Sequence, residues 1–410
     1  MRVLVITYLT PTPENRGGIS ALLYALLRFR PKDVEVKILS FNINQIGNDD
    51  MLEISKSLES EVNVLNLPPK FIRYQSIKDN KWFIRCSKYL NWPQINRALF
   101  DSKNIDIITK EQCDYVLLYP LSISFCSSYF TNKKIVIVAP DCWPLVRGRS
   151  LVNFYRMRSI KMFMDDALYY YRATKPCRSK NVMSKKVLYL YVGMADHIFH
   201  NELNGNDNSH FLLHPFVKYK EKTIDFSNRR LKVIISGGYD MYYATDVDKM
   251  IPLLIEHKDE LLKHYEFTFL GKHWSPIDER LKSAGFTCEF KTWVDDYAEE
   301  LASHDIMIAP VSFGTGTKGK VLDGLVNGLL VIGSEYALEN ICVRNMDSCV
   351  RYRNASCIAS ILISVANHRE RYQAIAEKGR SQVLKYHDPR RISKRFFEIY
   401  YRELCENKKL

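Results

Sequence analysis

The pattern across residues 306–333 constrains the fold of this chain most strongly. An apolar run, Ile-Met-Ile-Ala-Pro-Val, precedes the glycine-rich segment Ser-Phe-Gly-Thr-Gly-Thr-Lys-Gly-Lys, a short helical pattern and a second apolar run, Leu-Leu-Val-Ile-Gly. This order predicts a strand, a loop, a helix and a second strand, which is the crossover unit of a parallel sheet. A glycine-rich loop that opens a helix gathers free backbone N–H groups at the positive end of the helix dipole. The segment therefore predicts either an anion-binding loop or a plain crossover with a glycine-rich turn.

The side chains of this loop favour the anion-binding interpretation. The glycines allow the backbone to approach a ligand closely, and Lys318 and Lys320 add positive charge beside the loop amides. Asp323 follows inside the helix, where a carboxylate can accept hydrogen bonds from a diol. Phosphate neutralisation beside diol recognition indicates a nucleotide or nucleotide-sugar site. The predicted substrate-binding residues of the loop are Gly314, Thr315, Gly316, Thr317, Lys320 and Asp323, and Lys318 is predicted to be catalytic.

Two families share features with this loop. Gly314 to Lys320 match the P-loop spacing G-x-x-x-x-G-K, but Val321 stands where a P-loop has Ser or Thr for magnesium. The segment more closely resembles the nucleotide-sugar loop of GT-B glycosyltransferases, above all the bacterial retaining group 1 (family 4-like) enzymes. Their signature reads roughly P-x-x-x-G-x-G-x-K-x-K-x-L-E-A-x-x-x-G-x-P-V. The matching positions are Pro310, Gly314, Gly316, Lys318, Lys320, Leu322, Asp323, Gly328 and Val331.

The rest of the chain alternates strand-like and helical runs, which predicts parallel α/β sheets. The predicted strands are Arg2–Tyr8, Val34–Phe41, Val62–Leu67, Tyr115–Tyr119, Ile135–Ala139, His197–His200, Phe211–Leu213, Lys232–Ser236, Phe267–Leu270, Cys288–Val294, Ile306–Pro310 and Leu330–Ile332. Helical patterns cover Val247–Leu262, Asp296–Ser303 and Arg390–Glu406. Polar, turn-rich residues at 204–208 and 218–230 indicate a domain boundary.

The resemblance implies an α/β fold of two Rossmann-like domains that face each other across a cleft, with the C-terminal helix crossing back to the first domain. Residues 1–217 are then the N-terminal acceptor domain, and residues 218–389 are the C-terminal nucleotide-sugar domain. Residues 390–410 form the returning helix. Ligands of such sheets bind beyond the carboxyl ends of the strands.

The same resemblance nominates residues outside the main loop. Gly17 and Gly18 correspond to the glycine pair that opens the first helix beneath the donor phosphates, although such a pair also makes an ordinary turn. Asp141 follows the apolar run 135–139, where it would orient or deprotonate the acceptor hydroxyl, or else cap a turn or helix.

Three further segments of the second half match donor-binding positions of the family. Gly237, Gly238 and Tyr239 correspond to the loop at the donor phosphates, where many members carry Arg or Lys; Lys272 is a candidate for the missing charge. Trp293 would form a wall for the nucleotide base, or else pack in the core. The family's first carboxylate falls on Thr315, so the contacts to the transferred sugar differ from the usual pattern.

Charge is distributed unevenly along the chain, whose net charge is +13. Residues 70–97 hold seven Lys/Arg against one Asp, and residues 147–186 hold eleven against two, with many aromatic residues in both stretches. This composition predicts a surface that meets anionic lipid headgroups, or else a solvated basic face above an aromatic core. No zinc-finger, KH or RNP pattern accompanies the charge, so nucleic acid is not an expected partner.

Composition and motifs limit the remaining choices. The chain has 410 residues, no apolar run long enough for a transmembrane helix, no signal-peptide pattern, and ten cysteines without zinc spacing. These features predict a cytoplasmic protein, and the basic stretches predict that it is peripheral on the inner membrane face. The resemblance implies an enzyme with no metal or other cofactor. It also implies the expected partners, which are a nucleoside-diphosphate sugar and a saccharide or lipid-linked saccharide acceptor in cell-surface polysaccharide synthesis. Base, sugar, linkage and oligomeric state stay open, and the alternatives are a GT-B sugar-nucleotide epimerase, a P-loop NTPase and a non-catalytic nucleotide-binding module.

Overall fold

The computed structural model describes residues 1–15, 19–90, 95–152, 160–174, 187–205, 207–227 and 230–405. The strands within these residues are β1 Arg2–Thr7, β2 Glu35–Ser40, β3 Glu61–Val64, β4 Tyr115–Tyr119, β5 Lys134–Ala139, β6 Val187–Tyr191, β7 Ser209–Phe211, β8 Leu231–Ser236, β9 Tyr265–Leu270, β10 Cys288–Lys291, β11 Ile306–Ala309, β12 Leu330–Gly333 and β13 Val350–Arg351.

The α-helices within the same residues are α1 Ser20–Arg28, α2 Asn48–Leu58, α3 Pro69–Ser76, α4 Lys81–Leu90, α5 Ser102–Lys110, α6 Trp143–Val152, α7 Ile160–Thr174, α8 Met194–Asn204, α9 Met241–Glu256, α10 Lys258–Leu261, α11 Ser275–Ser283, α12 Tyr297–Ala302, α13 Gly319–Val326, α14 Glu335–Leu338, α15 Ile358–Asn367, α16 Arg369–Tyr386 and α17 Pro389–Cys405. Short 3₁₀ helices occupy Ile95–Leu99, Leu121–Tyr129 and Ala355–Cys357.

The described chain divides into two compact units. Unit 1 comprises Met1–Arg147, Met164–Leu212 and Pro389–Leu410, and unit 2 comprises Gly148–Phe163 and Leu213–Asp388. The chain thus passes between units at 212/213 and 388/389, where sequence analysis placed the passages at 217/218 and 389/390. The described residues of 148–163, assigned from sequence to the first domain, fall in unit 2.

Each unit is built on one parallel sheet. In the described residues, unit 1 has the strand order β3-β2-β1-β4-β5-β6-β7 and unit 2 has the order β10-β9-β8-β11-β12-β13. Neighbouring strands pair in parallel throughout both sheets. Both orders run outward in two directions from a central pair, β1 and β4 in one sheet and β8 and β11 in the other. Such a reversal of strand order creates a ligand crevice at the carboxyl ends of the central pair.

The strands are apolar because helices cover both faces of each sheet. Every residue of β11 and β12 is buried, as is every residue of β5 except its first. The main core of unit 2 gathers side chains from β8 and β9 with those of α9 and α15, including Phe267, Phe269 and Ile358. Burying each such side chain contributes about 1.5–3 kcal/mol to folding.

The last helix, α17, belongs to unit 1, as the predicted return of the chain requires. Phe396, Phe397 and Tyr400 are almost fully buried on its inner face. The Ser393 hydroxyl donates to the carbonyl of Leu26 over 2.7 Å, which ties the helix to α1. The predicted fold class of two Rossmann-like α/β sheets with a returning C-terminal helix is confirmed.

Two parts of the sequence prediction were wrong. Residues 197–200 are not a strand but lie within α8, where Asp196 and His200, one turn apart, are buried while Ile198 is half exposed. A short apolar run is consistent with either element, and the buried spacing of four decides for the helix. The strands β6 and β13 were also missed, the second because two residues carry no periodic signal.

Candidate functional site

The switch point of unit 2 brings the two glycine-containing loops together. The pairing of β8 with β11 places Gly237 and Gly238, which follow β8, beside the loop that follows β11. The Ser312 N–H donates to the carbonyl of Tyr242 over 2.7 Å, which joins the second loop to the first turn of α9. The sequence therefore folds these two motifs into one site at the carboxyl edge of the sheet.

The loop before α13 depends on backbone conformations that favour glycine. Gly314 and Gly316 have φ values of 149° and 67°, in the left-handed half of conformational space. The Lys318 ammonium folds back and donates to the carbonyls of Thr315 and Gly316, the second over 3.3 Å. The Asn340 side chain adds a bond of 3.1 Å to the Gly316 carbonyl. The positive charge predicted at Lys318 is thus held over the loop.

The start of α13 adds backbone polarity to the lysine charge. Lys318 is the N-cap residue and makes no side-chain cap bond. The first N–H groups of a helix have no partners within the helix, so they favour an anion there. Lys320, in the first turn, has an exposed side chain, yet the surrounding protein desolvates its ammonium and lowers its pKa. The nearby carboxylates of Asp240 and Asp323 oppose that shift.

Asp323 lies one turn into α13 and is only 5% exposed. Its Oδ1 accepts a hydrogen bond of 3.2 Å from the N–H of Val217, in the segment that enters unit 2. A buried carboxylate needs such partners, because an unpaired charge in the protein interior is costly. The Asp323 side chain is therefore held in place near Lys320, and its contact with a ligand hydroxyl stays a prediction.

The loop after β8 packs tightly against the loop after β9. Gly271 has a φ of 133°, and a Cβ built on it would lie 2.1 Å from the Gly237 carbonyl oxygen. The same carbonyl accepts a 2.6 Å hydrogen bond from the buried indole of Trp274. Tyr239 donates its N–H to the carbonyl of Lys272 over 2.9 Å, and the Lys272 side chain is exposed. Backbone contacts thus join two segments that were predicted to bind the donor, the loop with Gly237, Gly238 and Tyr239 and the loop with Lys272.

Trp293 follows β10 and is 72% exposed, so it does not pack in the core. Its neighbour Asp296 caps α12 by accepting from the N–H groups of Ala298 and Glu299. A hydrogen bond from Lys218, with the cap bonds, lowers the Asp296 pKa to about 2. The segment thus combines an exposed ring with a structural aspartate; the role of Trp293 stays a prediction.

Two buried residues of this segment depart from the sequence patterns to which it was compared: Thr315 from the glycosyltransferase pattern and Val321 from the P-loop pattern. Thr315 is 4% exposed, and among the described residues its buried hydroxyl has no hydrogen-bond partner. Val321 is 3% exposed within an apolar cluster of unit 2. The position at which a P-loop presents a hydroxyl to magnesium is therefore part of the core, which weighs against that alternative.

Asp141 lies in unit 1, directly beyond the carboxyl end of β5 and Pro140. Burial raises the pKa of the Tyr119 phenol, and the negative charge of the half-buried Asp141 carboxylate raises it further. The Tyr119 hydroxyl donates to the carbonyl of Ile19, beside α1. Gly17 and Gly18 lie outside the described residues.

Sequence reasoning missed three contacts at the α13 loop. The Val217 N–H donates to Asp323, and the Asp240 carboxylate raises the pKa of Lys320. No local sequence pattern marks either Val217 or Asp240 as part of the site. The ring of His214 lies against the first residue of α13, with its Cε1 3.7 Å from a Cβ built on Gly319. Burial lowers the His214 pKa to about 4, and Nδ1 donates to the Pro215 carbonyl over 2.6 Å. A neutral imidazole therefore borders the loop.

Within the residues that the structure describes, no group of three or more His, Cys, Asp or Glu side chains is arranged to hold a metal ion. Within the same residues, no helix combines the length and apolar character needed to cross a membrane.

Solved structures with the same architecture include the following three. Anabaena Alr3699/HepE in complex with UDP-glucose has a TM-score of 0.66 at 10% identity, over 98% of this chain and 99% of that one. A glycosyltransferase from Rickettsia africae ESF-5 has a TM-score of 0.60 at 13% identity, over 98% of both chains. WaaG, a glycosyltransferase involved in lipopolysaccharide biosynthesis, has a TM-score of 0.57 at 12% identity, over 97% of this chain and 99% of that one.

The fold is therefore that of the GT-B glycosyltransferases. Residues 202–368, which include the loop and α13, match the family model described as "Glycosyl transferases group 1". These residues are thus similar to group 1 glycosyltransferases, and the enzyme class of the chain is that of the glycosyltransferases, as the loop motif predicted. Comparison with curated proteins finds no match.

Proposed function

We propose that this protein transfers a sugar from a nucleoside-diphosphate sugar to a saccharide acceptor. The observation that carries the proposal is the loop at 314–320, where an ammonium, a helix N-terminus and a fixed carboxylate converge at the switch point of unit 2. The ammonium and the helix N-terminus suit a diphosphate, and the carboxylate suits a ribose diol. UDP is the first nucleotide to test, because a structure similar in fold holds UDP-glucose.

Catalysis by this loop consists of stabilising the leaving diphosphate. Negative charge grows on the bridging oxygen as the glycosidic bond of the donor breaks. We assign the stabilisation of that charge to Lys318, whose ammonium is held by carbonyls of the loop, and to the first amides of α13. The proposal assigns this role to the protein's own cations and amides, without a divalent metal.

The acceptor-activating residue is proposed to lie in unit 1. Asp141 follows a buried strand, and we assign to its carboxylate the role of orienting or deprotonating an acceptor hydroxyl. Retention of anomeric configuration is proposed from the loop signature alone. Thr315 stands where the family has its first carboxylate. The contacts of this protein to the transferred sugar therefore differ from those of the family pattern.

The proposed acceptor is lipid-linked, because α3 and α4 of unit 1 form a surface suited to an anionic bilayer. Trp82 is 74% exposed, and Ile72 and Ile84 are about half exposed. Lys70, Arg73, Lys78 and Lys81 are exposed around them. Phe71 and Phe83 are buried, so the core already has its own aromatic residues and the exposed ones are additional. Cations beside exposed apolar side chains match lipid headgroups above acyl chains.

A ligand panel tests the donor assignment. Thermal unfolding would be followed with UDP, GDP, ADP and CMP and with their sugar conjugates, each with and without EDTA. The proposal predicts that one nucleoside diphosphate raises the Tm by several degrees and that EDTA leaves the shift unchanged. Stabilisation by ATP with magnesium, and by no diphosphate sugar, would contradict it. Product analysis then separates transfer from epimerisation, since only transfer yields a glycoside.

A further inference from the structure

A polar cavity of about 450 Å³ lies in unit 2 beyond the carboxyl ends of β11, β12 and β13. Its polar lining includes Asp246, Ser312, Ser334 and Tyr352, each no more than 6% exposed. The Tyr352 hydroxyl donates to Asp246 Oδ2 over 2.7 Å, and the Asp246 N–H donates to Ser312 Oγ over 3.2 Å. These bonds fix a buried polar floor.

The rim of this cavity is positively charged. Lys249, Arg351 and Arg353 line it, and their side chains are exposed. Among the residues that the structure describes, none of the three forms an ion pair within 4.0 Å. Cations that the protein does not neutralise remain available to an external anion.

The floor supplies a different chemistry from the rim. Only one oxygen of Asp246 bonds to a side chain, and among the described residues the other, Oδ1, accepts no hydrogen bond. Glu335 adds a second carboxylate to the lining. Carboxylates repel a bare anion but accept hydrogen bonds from hydroxyl groups. The cavity therefore favours a ligand that carries hydroxyls at one end and negative charge at the other.

No residue assigned to the donor lines the cavity, although Ser312, in its lining, lies just before the 314–320 loop. None of the residues around it belongs to the 314–320 loop, and it extends from β11 towards β13, whereas Gly237 and Trp293 follow β8 and β10. A further cavity of about 690 Å³ shares Glu335, Tyr336 and Arg351 with it. Together they provide room for more than a single inorganic ion.

We propose that this cavity is a second binding site for an anionic saccharide, a polyol that carries a phosphate or carboxylate group. Arg351 and Arg353 bind the anion, and Asp246 accepts from the hydroxyls. Two sources share this chemistry: a free sugar phosphate and an acidic residue of a polysaccharide chain. The site does not depend on the identity of the nucleotide donor.

Calorimetry on the full chain without nucleotide tests the proposal. The ligands are glucose 1-phosphate and a glucuronate-containing oligosaccharide. Two half-ligands serve as controls: glucose, which has the hydroxyls without the anion, and inorganic phosphate, which has the anion without the sugar. The variant is Arg351→Gln/Arg353→Gln, and the charge-matched control is Lys258→Gln/Arg280→Gln, at exposed positions of unit 2 away from the cavity. Lys318→Ala reports binding at the donor loop instead.

At least one anionic saccharide should bind more tightly than both half-ligands. Its affinity should fall about tenfold or more in the Arg351/Arg353 variant and stay unchanged in the charge control and in Lys318→Ala. Tighter binding of glucose 1-phosphate would identify a free sugar phosphate as the ligand, and tighter binding of the oligosaccharide would identify an acidic polysaccharide residue. The proposal is overturned if neither saccharide binds, if the Arg351/Arg353 variant binds as the wild type does, or if Lys318→Ala abolishes the binding. Nucleotide affinity of the same variants is measured separately, so failure here leaves the donor assignment intact.

Discussion

The backbone N–H of Val217 donates to Oδ1 of Asp323 over 3.2 Å, joining the segment that enters unit 2 to the middle of α13. The two residues are more than a hundred positions apart in sequence. The bond fixes a carboxylate that is 5% exposed and lies near Lys320. One carboxylate oxygen thus has a structural role, and the proposed second role of the carboxylate is to accept a hydrogen bond from a ligand hydroxyl.

Substituting Asp323 separates these two roles. Asp323→Asn keeps an oxygen for Val217, so the Tm should change little, while nucleoside-diphosphate affinity falls about tenfold through loss of one charged hydrogen-bond acceptor. Asp323→Ala leaves the Val217 N–H without its partner and should also lower the free energy of unfolding by about 1–3 kcal/mol. Calorimetry and urea unfolding measure the two effects. Wild-type affinity in Asp323→Asn would remove the carboxylate from the site.

Gly271 should tolerate no side chain. In Gly271→Ala the new Cβ would lie 2.1 Å from the Gly237 carbonyl oxygen, at a φ of 133°. Backbone would have to move, so the free energy of unfolding should fall by about 4 kcal/mol or more. The matched control is Gly238→Ala, whose Cβ would meet its nearest atom at 3.9 Å, and which should change stability by less than about 1 kcal/mol. Equal urea midpoints for the two variants would contradict this packing.

Asp141→Asn should separate chemistry from donor binding. If the carboxylate activates the acceptor hydroxyl, transfer should slow about 10²- to 10⁴-fold while diphosphate affinity is unchanged. Asp49→Asn, on the exposed surface of α2, is the control for loss of a charge in unit 1. Transfer rates with saturating donor provide the measurement. Full activity in Asp141→Asn would assign the residue a structural role only.

Charge reversal should release the protein from anionic membranes. Arg73→Glu/Lys81→Glu places two repelling charges on the surface formed by α3 and α4, and each cation near a bilayer contributes about 1 kcal/mol. Binding to phosphatidylglycerol vesicles should fall at least tenfold in a sedimentation assay. Lys56→Glu/Lys103→Glu, exposed elsewhere in unit 1, should fall much less. If both double variants lose binding equally, net charge rather than this surface is responsible.

Much of the fold and the main loop could be predicted because their signals are local. The run from Ile306 to Gly333 encodes strand, loop, helix and strand in order, and the observed elements β11, α13 and β12 follow it closely. The prediction failed where several structures satisfy the same pattern, as for the helical residues 197–200. Contacts such as Val217 with Asp323 arise only when distant segments pack together, so no motif announces them. The cavity beside Arg351 was missed for the same reason.

The central claim is that the 314–320 loop holds a diphosphate with the protein's own charges. The most direct measurement is a calorimetric titration of UDP, and of the diphosphate selected by the ligand panel, in EDTA, comparing wild type with Lys318→Ala and the exposed control Lys258→Ala. The account predicts wild-type binding that EDTA does not weaken, a loss of about tenfold or more in Lys318→Ala, and no loss in Lys258→Ala. Binding that requires a divalent metal, or that is unchanged in Lys318→Ala, would contradict it.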